Sequence, residues 1–177
     1  MKAYYAKQDA EKLSGKGDTS QKLTLMKTSA DSLKKSADAL NDSSLWEKKK
    51  IKKKDEKTGE EIEVEDYDWD KITKAVKSFV EDYNDVVKEA GESNTKDVLR
   101  NASWMTGMTD KNSNMLAQIG ITIGKGNKLE LDEDALKQAD ISSLKTVFTG
   151  YNSFVSKISQ KATGISNAAN RASATYT

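Results

Sequence analysis

Cysteine, histidine and proline are all missing from this chain of 177 residues. Without cysteine there is no disulfide, thiol nucleophile or thiolate ligand. Without histidine the commonest zinc ligand and the only side chain that titrates unperturbed near neutrality are gone too. Most enzyme classes are thereby disfavoured, although a chain without thiols is equally at home in either redox compartment. The lack of proline lets long helices run uninterrupted. An excess of one charge is also lacking: 29 lysines and arginines face 28 acids, so a net charge of +1 gives no overall field toward nucleic acid or anionic lipid, and any such attraction must be local. No apolar run approaches the ~20 residues of a membrane span, and 1-MKAYYAKQDAEK-12 lacks the apolar middle of a cleavable secretory signal. The expectation is a soluble protein that, if exported, uses a route that does not read such a signal. With 36% hydrophobic and 32% charged residues, a modest core and an elongated shape are expected.

What is present is mostly helical periodicity. Residues 1–20, with Gly15, Gly17, Asp18 and Thr19, read as a flexible lead-in. Leu23, Met26, Ala30, Leu33, Ala37 and Leu40 then recur in steps of three and four, a seam that 41-NDSS-44 ends. The stretch 47-EKKKIKKKDEKTGEEIEVEDYD-68 changes sign halfway. Folded about Asp55 to Gly59, it becomes a hairpin with opposite charges across from one another and Ile62 and Val64 on one face. Asp68 is placed to cap a helix carrying Trp69, Ile72, Val76, Phe79, Tyr83, Val86 and Ala90, widened by Ala75, Val80 and Val87 and stopped by Gly91.

Two shorter helices are expected near 95–106 and 109–118, the second capped by Thr109. A second hairpin follows over 119–131, then a helix capped by Asp132 and a turn of helix within 140-DISSLKTVF-148. The last helix carries Tyr151, Val155, Ile158, Ala162, Ile165, Ala169, Ala172 and Tyr176. Three of those eight are alanine and Gly164 sits within the stripe, so it needs the first helix or another subunit as a partner, or stays partly disordered. The fold expected is mainly α: an elongated antiparallel helical bundle or coiled coil with one or two small β-hairpins. Its parts are a flexible segment at 1–20, a bundle at 21–150 with hairpins near 47–66 and 119–131, and a coiled-coil helix and tail at 151–177.

No constellation of catalytic residues, cofactor or metal ligands emerges. Gly120 and Gly124-Lys125 leave three intervening residues where a phosphate loop needs four, and no Ser or Thr follows the lysine, so these glycines read as turn formers with positive dihedrals. The acids at 130–134 lack the alternation of a calcium loop, and no two carboxylates stand out as a hydrolytic pair. The seven lysines between Lys48 and Lys57 have no interleaved aromatic residues to stack on bases and face their own acidic strand, which argues against nucleic acid. Trp69, Phe79 and Tyr83, at helical spacing, read as core.

The order of the motifs carries further. The helix with 79-FVEDYND-85, then 116-LAQIGITIGKGNKLELDEDALKQA-139 and 147-VF-148, resembles the C-terminal region of the flagellar hook-associated protein 2 family, the filament cap proteins, over about residues 70–150. Phe79, Tyr83, Ile119, Gly120, Ile121, Leu129, Leu131, Asp132, Glu133 and Leu136 stand at the matching positions and form a scaffold motif. Where that family carries large variable domains, this chain has the charged 47–68 hairpin. The resemblance implies an exported, extracellular axial protein of the bacterial flagellum. Its terminal helices pair as a coiled coil, and its copies form a homo-oligomer that contacts flagellin or other axial proteins. On this reading Leu23, Met26, Leu33, Leu40, Val155, Ile158 and Ile165 form a self-association seam, with no cofactor, nucleic acid or membrane insertion involved. The alternative is an exported or cell-surface binding or adhesion module on the same scaffold, touching its partner through the 47–68 hairpin.

Overall fold

The computed structural model describes residues 18–174. In chain order these form α1 (Ser20–Leu40), a 3-10 turn (Ser43–Trp46), β1 (Lys49–Lys54), β2 (Glu61–Asp66), α2 (Trp69–Gly91), α3 (Lys96–Lys111), α4 (Ser113–Gln118), β3 (Ile121–Ile123), β4 (Leu129–Leu131), α5 (Glu133–Gln138), α6 (Ile141–Phe148) and α7 (Phe154–Ala174). The protein is mainly α with two small antiparallel two-stranded sheets, β1-β2 and β3-β4. The reading of residues 1–17 as flexible lies outside the described residues, as does Tyr176.

The four long helices run up, down, up and down. Neighbouring pairs are antiparallel, as side-chain bonds along each pair show. Lys22 Nζ at the start of α1 donates to Glu92 O at the end of α2, at 2.8 Å. Along α1 and α7, Ser159 Oγ donates to Asp38 Oδ1 at 2.8 Å and Ser166 Oγ to Asp31 Oδ1 at 2.6 Å. On α3 and α7, Arg171 lies 3.8 Å from Asp97 while Lys161 sits 4.8 Å over the Trp104 ring. The α1–α7 contact is the most extensive in the molecule. It buries Leu23, Met26, Ala30, Leu33, Ala37 and Leu40 from one side and Val155, Ile158, Ala162, Ile165 and Ala169 from the other. The last helix therefore finds its partner within its own chain. A Cβ added at Gly164 would run into the Asn101 side chain of α3, so the glycine that seemed to thin the stripe leaves room for that side chain.

Three local readings need correction. Thr109 does not cap a helix: α3 continues to Lys111, and Thr109 is buried on its inner face, bonding back to Met105 O at 2.9 Å. A threonine can serve either as a cap or, facing inward, as a back-bonded helix residue, and periodicity does not separate the two. Tyr151 does not belong to the last helix, which begins at Phe154; it is 85% exposed. Gly124 has a negative φ of −102°, and the left-handed turn positions are Gly126 (70°) and Asn127 (63°). Asp68 and Asp132 do cap α2 and α5, accepting from Lys71 N and Ala135 N.

Candidate functional site

Among the described residues no group of three or more acids is placed to hold a metal ion. Among the same residues no helix is long and apolar enough to cross a membrane. The described residues present contact surfaces and the joints that hold them.

The scaffold motif sits where α2, α3 and the β3-β4 hairpin meet. Phe79, Tyr83, Ile119, Ile121, Leu129 and Leu136 are buried, Leu131 is half-buried, and Asp132 is exposed at its cap. Phe79 packs against Tyr83 at 6.2 Å and edge-on to Phe154 of α7 at 6.3 Å between ring centroids. Tyr83 Oη donates to Thr109 Oγ1 at 2.7 Å, and burial pushes the Tyr83 phenol up to about 12. Gly120 has φ of 92° and its carbonyl accepts from Asp132 N at 2.8 Å, where a Cβ would meet Asp132 O at 2.7 Å. Ile121 faces Leu131 and Ile123 faces Leu129 in register. Hairpin and capped helix thus form one joint, closed by a residue that must lack a side chain.

Two residues that hold this scaffold were missing from the sequence-based selection. Asn84 donates to Leu129 O at 2.9 Å and accepts from Leu129 N at 2.7 Å, acting as a strand partner that docks β4 on α2. It lies within 79-FVEDYND-85, so the motif contained the signal. Asp18, placed by sequence in a flexible lead-in, is 3% exposed and accepts from Ser93 Oγ (2.6 Å), Asn94 N (2.8 Å) and Thr95 Oγ1 (2.7 Å). It clamps the chain before α1 onto the α2–α3 turn. Nothing local to residues 15–20 announces partners 75 positions away.

Leu23, Met26, Leu33, Leu40, Val155, Ile158 and Ile165 are all buried inside one chain, where α1 and α7 meet. Flanking that apolar row, Asp31 and Asp38 take hydrogen bonds from Ser166 and Ser159, seven residues apart on both helices. The repeat 27-KTSADSL-33, 34-KKSADAL-40 is the sequence signal for this spacing. Burial opposes the ionised form of Asp31, but bonds from Lys27 and Ser166 and the charges of Lys27 and Lys35 outweigh it and hold the carboxyl below its usual value. At the bundle's other end Asn41 and Gly150 exchange a pair of bonds (3.3 and 2.9 Å), and Trp46 stacks on Phe148 at 5.5 Å while donating to Leu40 O.

The β1-β2 hairpin stands apart. Its register sets Lys49 opposite Asp66, Lys50 opposite Glu65, Ile51 opposite Val64, Lys52 opposite Glu63, Lys53 opposite Ile62 and Lys54 opposite Glu61. The two strands contact each other far more than anything else. At the root, Lys48 sits 5.7 Å over the Tyr67 ring, and a cleft of about 300 Å³ runs between Ile51, Tyr67 and Trp69. Lys53 bonds Asp66 at 2.6 Å, and this bond, with Tyr67 N–H, holds the Asp66 carboxyl low.

Comparison with known families places residues 90–177 in a match to one described as flagellar hook-associated protein 2 C-terminus. The match begins at the end of α2 and runs through α7, so it includes Val155, Ile158 and Ile165, while 79-FVEDYND-85 precedes it. Comparison with curated proteins and with solved structures gives no match. From Ala90 onward, with its docked β3-β4 hairpin, capped α5 and terminal α7, the chain matches the C-terminal region of the flagellar hook-associated protein 2 family.

Proposed function

We propose that this protein is a structural component of the bacterial flagellum, of the filament-cap or hook-associated type, and works outside the cell by self-assembly and contact with flagellin. The observation that carries the reading is the family match together with the way its region is completed: α7 from within the match lies along α1 from outside it, forming the paired stem of first and last helices that such a protein needs. The rest of the geometry supports work by contact rather than by chemistry, since the buried Asp18, Ser93, Thr109, Ser159 and Ser166 serve joints and helix register. The apolar row of the seam is filled by the chain itself, so assembly falls to surfaces outside it. In the charged hairpin every lysine of β1 except Lys53 faces an acid, which leaves little open basic surface for nucleic acid.

The test is immunogold electron microscopy on the source cells, with antibody raised to the folded protein. Label at filament ends or hook junctions is the expected result. Label dispersed over the cell surface, or confined to the cytoplasm, overturns it.

A further inference from the structure

We propose that the β1-β2 hairpin joins one copy of this chain to the next by strand pairing, the basic strand of one copy against the acidic strand of its neighbour. The proposal rests on the assembly reading above and names the surface that would perform it.

The ladder's hydrogen bonding shows which groups are free. At the turn, Asp55 N donates to Glu60 O at 2.8 Å and Gly59 N, at a φ of 70°, donates to Asp55 O at 2.7 Å. Asp55 is thus in a bonded position, and bonded and non-bonded pairs alternate along an antiparallel ladder. Lys54–Glu61, Lys52–Glu63 and Lys50–Glu65 are therefore the non-bonded pairs, whose backbone N–H and C=O groups point away from the ribbon along both outer edges. Both edges are open templates for another strand. The side chains of the same six residues share one face of the hairpin and are all exposed.

The charges decide what fits. A second copy set beside the first in the same orientation brings its β1 against the first copy's β2. Its Lys50, Lys52 and Lys54 then lie opposite Glu65, Glu63 and Glu61, repeating the pairs already made within each ribbon. On the other face Ile51 falls opposite Val64, so the apolar row continues from copy to copy. Pairing β1 with β1 sets lysine against lysine, and β2 with β2 sets acid against acid, so the two-fold arrangements are repelled. Opposed edges on one molecule make a head-to-tail contact, which closes into a ring or runs on as an open chain instead of stopping at a dimer.

The experiment is sedimentation of the full chain over a range of concentrations, in low and high salt, with two variants. Lys52→Pro removes an outward N–H that the ribbon's own ladder does not use. The sixfold exchange K50E, K52E, K54E, E61K, E63K and E65K keeps every pair within the ribbon but reverses both edges. The wild type is expected to form species larger than dimers that weaken with salt. Lys52→Pro is expected to stay monomeric with an unchanged circular dichroism spectrum. The exchanged protein is expected to assemble with itself as the wild type does, because each exchanged edge again meets its opposite. If Lys52→Pro assembles as the wild type does, assembly runs through another surface, and the hairpin proposal falls while the assembly reading stands; if the exchanged protein stays monomeric, head-to-tail pairing of these strands falls in the same way. A wild type that remains monomeric at every concentration removes both.

Discussion

Gly120 shows how much one position can carry. Its φ of 92° and the closeness of Asp132 O and Leu136 N leave no room for a Cβ. Gly120→Ala is expected to destabilise the protein by roughly 2–3 kcal/mol, read by urea unfolding, because the backbone strain and the clash act together. Asp18→Ala should cost roughly 1–3 kcal/mol, since it leaves the buried Ser93 hydroxyl and Asn94 N–H without their acceptor. Its signature is local: faster amide exchange at the α2–α3 turn, with β3-β4 unchanged. Asp31 supplies a pH dependence. Its carboxyl is lower in the folded chain than in the unfolded one, so the stability it contributes is present above the unfolded value and is lost as pH falls through the lowered folded value. Thermal unfolding of Asp31→Asn against wild type should accordingly show a gap at neutral pH that closes on acidification. Asp82 runs the other way. Burial raises its carboxyl, outweighing a hydrogen bond from Ser36 and helped by Asp85 and Glu81, so Asp82→Asn should stabilise the protein at neutral pH, by an amount that shrinks as acid protonates the wild type.

Among the elements, the α1–α7 pair combines an apolar row that supplies most of its energy with two serine–aspartate bonds that set its register. Ile158→Ala should cost roughly 2–5 kcal/mol by leaving a cavity in the row. Ser166→Ala removes only a partly buried bond and should cost roughly 0.5–1.5 kcal/mol. Comparing the two by denaturant unfolding separates packing from pinning. Both long helices of the seam were legible in the sequence because an amphipathic stripe must be buried, and three-four spacing exposes it at once. So was the β1-β2 hairpin, through its change of charge sign at Asp55 to Gly59. The β3-β4 hairpin could be read from Gly126 and the alternation around it. What sequence left open was pairing: whether α7 meets α1 or another subunit depends on contacts about 120 residues apart, which no local pattern states. Thr109 and Asp18 were misplaced for the same reason, since the partners that define them, Tyr83 and the α2–α3 turn, lie far away along the chain.

For the whole molecule, the family region is not closed by itself. Residues 90–177 supply α3 to α7, yet the inner face of α7 is covered largely by α1 and the β3-β4 joint rests on α2. Removing residues 154–177 should therefore strip α1 of its main partner, and the truncated chain is expected to lose cooperative thermal unfolding and to aggregate, measured by circular dichroism and light scattering. The bond from Ser159 to Asp38 spans 121 positions. A chain that emerges in order, from a ribosome or from a narrow conduit, can set α1 against its main partner only after α7 has arrived, because loop closure on that scale must precede the contacts that reward it. The first helix of the described residues has to wait for the last, and until then one side of its core stays open.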